Sequence, residues 1–112
     1  MRIALKAAVA ATLLALPAAP ACFAGNALPA DAAHGLAVAE RLCSSCHAVS
    51  NATESARGDV PPFATIANFP EQTAERLAGK IIIPHPEMPS VQLTMSELRD
   101  VVAYILSLIQ AK

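Results

Sequence analysis

The chain has no tryptophan, one tyrosine, three phenylalanines, four glycines and three cysteines in 112 residues. So few aromatics leave little large apolar surface from which to build a core. Three cysteines cannot supply the several bridges that staple small secreted domains. There is no cluster of Lys and Arg of the kind that binds phosphate backbones, so nucleic acid is not an expected partner. No repeat is visible, and the one β-like apolar run, Ile81-Ile82-Ile83, has no second run to pair with. A transmembrane helix needs about 20 consecutive apolar residues, and no such stretch follows the N-terminal region.

What is there begins with a leader. Arg2 and Lys6 precede an uncharged run from Ala7 to Leu16, then Pro17, Pro20 and small residues up to Ala24. A cationic start, a short apolar segment and a small-residue cleavage region make a secretory signal peptide. Residues 1–24 are the expected leader, with cleavage after Ala24, or after Ala21 as the second choice. Residues 25–112 are then one small domain in the periplasm, with no membrane span. Removing 24 residues from 112 leaves 88, and removing Arg2 and Lys6 takes the net charge from −1 to about −3. A domain of this size rarely builds a sufficient core unaided and usually carries a staple. Cys22 falls within the leader; the alternative is a lipidated Cys behind Ala19-Pro20-Ala21.

The staple is written at Cys43-Ser44-Ser45-Cys46-His47. A Cys-x-x-Cys-His run reads as a covalent haem c attachment site. The two thiols form thioethers and the adjacent imidazole, a suitable iron ligand, approaches from one face. On a helical turn, positions three and four apart share a side, so Cys43, Cys46 and His47 can address one flat group. A thioredoxin-like dithiol would need a strand–helix–strand setting, which the pattern lacks. A zinc site would need a second paired motif, and there is none. With both thiols used by one haem, no disulfide is expected.

Helical spacing starts at Asp31, a suitable N-cap, and continues through Leu36, Ala39 and Leu42 into the motif. Gly35 sits inside this helix, where it costs about 1 kcal/mol against Ala and marks a close backbone approach. Residues 51–59 are polar and irregular, and Val60-Pro61-Pro62-Phe63 is extended. A short helix is expected over Phe63 to Asn68, and another from Pro70 to about Lys80. Pro84-His85-Pro86-Glu87-Met88-Pro89 is a stiff loop suited to holding one side chain in place. Its Met88 thioether is a soft metal ligand. Met95 and His85 are the rival sixth ligands. Thr94 and Glu97 form a capping box for a last helix with a broad apolar stripe, Leu98 to Ile109, reaching about Gln110.

In this order the parts resemble the class I c-type cytochromes over Gly35 to Leu108. The resemblance implies an all-α cytochrome c fold, three to four helices wrapped around one covalently bound haem. It also implies that Gly35 packs against Tyr104 of the last helix, with Ala39 making a slim contact. Pro61 is the implied acceptor for the His47 ring N–H, and Met88, in His85-x-x-Met88-Pro89, the implied second iron ligand. His34 is expected to be solvated. A His/Met site has no open position for substrate, so the expected function is not enzymatic. It is single-electron transfer in the periplasm, as a free carrier or as the haem subunit of a redox enzyme. The partners would be a periplasmic dehydrogenase, an oxidase or another cytochrome. The alternative is an open-site haem protein, a gas sensor or peroxidase-like enzyme, with Met88 not bound.

Overall fold

A computed structural model of the chain describes residues 29–52 and 57–110. The expected leader, with Cys22, lies outside these residues. Among these described residues four helices follow in order: α1 Ala32–Leu42, α2 Phe63–Ala67, α3 Ala74–Ile82 and α4 Met95–Ser107. Among the described residues there is no strand, and the all-α expectation holds. None of these helices is long and apolar enough to cross a membrane.

Helices α1, α3 and α4 each start where a side chain can satisfy their first free N–H groups, whereas α2 starts at Pro62 with no side-chain cap. Asp31 Oδ1 accepts from the N–H groups of Ala33 at 2.9 Å and His34 at 3.0 Å. Thr94 and Glu97 make the reciprocal capping box at α4. The start of α3 differs from expectation. Pro70 lies in a turn in which Glu71 adopts φ +57°, and Thr73 takes the cap, its Oγ1 accepting the Arg76 N–H at 3.2 Å. The helix therefore begins four residues later than proline placement suggests and runs on through Ile82. At the far end of α4, Asn68 donates to the Leu108 carbonyl at 3.1 Å and accepts the Gln110 N–H at 3.0 Å. That cap closes the helix at Ser107, short of Gln110.

The core lies between α1 and α4, with Val38, Ala39, Val101, Val102 and Ile105 buried and Phe63 and Leu77 closing it from α2 and α3. What allows α1 so close is Gly35. A Cβ placed there would collide with the Asp100 carbonyl and lie 2.9 Å from the Val101 nitrogen. The expected partner, Tyr104, is thus off by one turn: Gly35 meets α4 backbone at Asp100 and Val101. Ala39, on the same side of α1, is 0 % exposed, so its small side chain suits the close approach.

The same crossing buries a carboxylate. Asp100 is 4 % exposed. Its Oδ1 accepts the Asp31 N–H at 2.9 Å and its Oδ2 lies 2.8 Å from His34 Nδ1. The Asp31 N–H, and then His34, hold the Asp100 pKa below the ordinary carboxylate value. His34, expected in solvent, is instead half-exposed and tied to α4. The Arg99 Nε stands 3.9 Å from Asp100 Oδ1.

Two outcomes follow from this crossing. Gly35→Ala should lower the chemical denaturation midpoint of the holoprotein by an amount equivalent to about 1–3 kcal/mol, because backbone must move to admit the methyl. An unchanged midpoint would mean that the two helices do not meet there. For Asp100, a pKa lowered on folding contributes stability above the unfolded value of about 3.9, lost as pH falls through the folded value. Acid unfolding of Asp100→Asn should therefore show a shallower pH dependence than wild type below about pH 4. Parallel curves would sink that assignment.

Candidate functional site

The Cys-x-x-Cys-His segment leaves the end of α1 as a tight turn. The Cys43 carbonyl accepts the N–H groups of Cys46 at 3.1 Å and His47 at 2.9 Å. This folds the segment back so that Cys43, Cys46 and His47 all line one cleft. Neither cysteine is in a disulfide. Before attachment, burial and then the neighbouring Cys46 raise the Cys43 thiol pKa. That is the reverse of the lowered value on which a thiol redox centre depends. Among the described residues no three His, Cys, Asp or Glu side chains converge, so the half-zinc reading has nothing to complete it.

His47 is held from several sides. It is 7 % exposed, and its Nδ1–H donates to the Pro61 carbonyl at 2.8 Å. Its ring lies 5.3 Å from that of Phe63, which stands 6.5 Å from Tyr104. Just beyond the motif, the Ala48 carbonyl accepts the Phe63 N–H at 3.0 Å and the Val49 carbonyl accepts the Tyr104 hydroxyl at 2.6 Å. One nitrogen of the imidazole is thus fixed as a donor. The other, Nε2, has no hydrogen-bond partner among the described residues, the condition for a metal ligand.

Two cavities meet at Cys43, His47, Pro61, His85 and Met88, one of about 380 Å³ and one of about 260 Å³. The second is lined mainly by apolar side chains, including Phe63, Ile66, Leu77, Ile81 and Ile105. An apolar cleft, two cysteine thiols on its wall and an oriented imidazole suit a covalently tethered, largely apolar metal macrocycle. Met88 is half-buried on the loop across the cleft. His85 lines both cavities but is exposed, with its Nδ1–H on the Pro86 carbonyl at 3.0 Å. Met95 is 75 % exposed and lines neither.

The model of the family described as cytochrome c matches residues 32–108. The chain belongs to the cytochrome c family. A curated relative, "Cytochrome c-552" of Bradyrhizobium diazoefficiens, is 48 % identical over 83 residues, covering 74 % of this chain and 80 % of the relative. No solved structure matches. The cofactor is accordingly haem c, covalently attached through Cys43 and Cys46, and the chain is an electron-carrying haem protein.

Three contacts here were not read from the sequence: Tyr104 on Val49, Asp100 on the α1 terminus, and Arg57 beside Glu87. Opposite charges on the two loops flanking Pro61 and Met88 were the available signal for the last.

Covalent attachment has a direct check. Acid-acetone extraction of the purified protein should leave all haem on the polypeptide, and Cys46→Ala should lose half the tether and accumulate poorly. Haem passing into the organic phase from the wild type would contradict attachment.

Proposed function

We propose that the chain is a periplasmic single-electron carrier, or the haem subunit of a periplasmic redox enzyme, exported by residues 1–24. His47 and Met88 would be the two side chains that hold its iron. The observation that carries this reading is the placement of Met88. It lines both halves of the cleft with His47, on a loop stiffened by Pro84, Pro86 and Pro89. Bound there, haem supplies an Fe(III)/Fe(II) couple whose potential His/Met ligation raises.

The protein's own part is to hold. Pro61 keeps His47 in one tautomer and orientation, and Phe63 and Tyr104 brace that wall. Leu77, Ile81 and Ile105 exclude water from the inner side. With His47 and Met88 both holding the iron, no position would be left for substrate. The work is then done through contact with redox partner proteins, encounters that need only small interfaces.

Met88→Ala tests the ligand. Covalent haem should remain, while the reduction potential falls by some part of the roughly 0.8 V that axial ligation spans. Met95→Leu is the control and should leave the potential near that of wild type. A fall in Met95→Leu but not in Met88→Ala would assign the other methionine. No fall in either would favour the open-site alternative, a gas sensor or peroxidase-like protein.

A further inference from the structure

The turn that carries Met88 holds an unexpected residue for its shape. The Met88 N–H donates to the His85 carbonyl at 3.1 Å, closing a four-residue turn with Pro86 and Glu87 at its centre. Pro at the first central position and φ +75° at Glu87 fit a type II turn, whose second central position favours Gly or Asn. An L side chain there crowds its own backbone. Nothing within the turn asks for a glutamate. Such residues persist where their surroundings over-determine them, and they cluster at ligand clamps.

The surroundings supply a reason. Glu87 Oε2 lies 3.8 Å from the Arg57 guanidinium. Arg57 stands four residues before Pro61, the acceptor for His47, and Asp59 steadies the same guanidinium at 3.4 Å. Arg57, Asp59 and Glu87 all line the larger cavity. The ion pair therefore joins the loop that orients His47 to the loop that presents Met88. We infer that Arg57 and Glu87 form a latch across the mouth of the cleft and act as positioning residues that keep Met88 at the metal site. This rests on the reading of Met88 as a ligand.

The pair is exposed, with side chains 44 % and 75 % accessible. Exposed pairs are individually weak and screened by salt. The latch therefore has a recognisable signature. Its loss is modest, vanishes at high salt, and is repaired by exchanging the charges. It opens the loop without unfolding the domain.

Imidazole binding to the ferric holoprotein reads this directly, because a new ligand enters only when Met88 leaves. In low salt, Glu87→Gly and Arg57→Glu should bind imidazole about two- to fivefold faster than wild type, the range expected for one exposed ion pair. The difference should disappear near 1 M salt, where screening acts within about 3 Å. The exchanged pair, Arg57→Glu with Glu87→Arg, should return towards the wild-type rate. Glu87→Gly should melt no lower than wild type, since glycine suits the turn. Wild-type rates in both single variants at low salt, or failure of the exchanged pair to recover, would overturn the latch. Met88→Ala separates the two readings. If wild type already binds imidazole as fast as Met88→Ala, the ligand assignment fails and the latch with it. If wild type is slow and Glu87→Gly equally slow, the latch alone fails.

Discussion

The structure depends on the backbone contact between Gly35 in α1 and Asp100–Val101 in α4. A small domain with almost no aromatic residues cannot fill a wide gap between helices with large side chains. Bringing two backbones together replaces missing side-chain bulk with close packing, from which many small dispersion contacts add up. The crossing also fixes position. It sets where α1 ends, hence where Cys43 emerges, and where Tyr104 stands, hence where the Val49 carbonyl is anchored. The cost of a glycine inside a helix is offset by what it locates.

From that crossing the cleft acquires two unlike walls. On one side His47 is buried and oriented by Pro61, and the chain just past it is stitched to Phe63 and Tyr104. Most of these bonds are buried or partly so, and buried bonds are costly to leave unmade. On the other side Met88 sits on a loop held by proline, one turn hydrogen bond and surface charge. A carrier that changes charge on each cycle benefits from little rearrangement. The firm wall supplies constancy, and the proline loop limits how far the second side chain can stray.

Legibility in the sequence followed the range of the interaction. The attachment motif and the Thr94–Glu97 capping box are local patterns whose spacing carries its own chemistry. The helix start at Thr73 was harder, because Pro70 and Thr73 offer competing starts and the choice turns on the backbone at Glu71. Gly35 was legible as a close approach, but its partner was misplaced by one turn, since register between distant helices depends on packing that no local pattern encodes. Asp100 was invisible for a related reason. It sits between Leu98 and Val101 on the apolar stripe of α4, and its burial makes sense only once the α1 terminus, with Asp31 and His34, is laid against it. The Arg57–Glu87 pair likewise joins loops 30 residues apart.

Membership of the cytochrome c family settles the cofactor, while the state of the sixth position decides between a carrier and a haem protein that binds small molecules. Carbon monoxide competes for a vacant or weakly held position on ferrous haem and leaves a strong visible signature when it binds. The most direct measurement is the visible spectrum of the reduced wild-type protein before and after equilibration with carbon monoxide at neutral pH. A site closed by His47 and Met88 predicts an unchanged spectrum. Rapid, stoichiometric conversion to the carbon monoxide complex would contradict it.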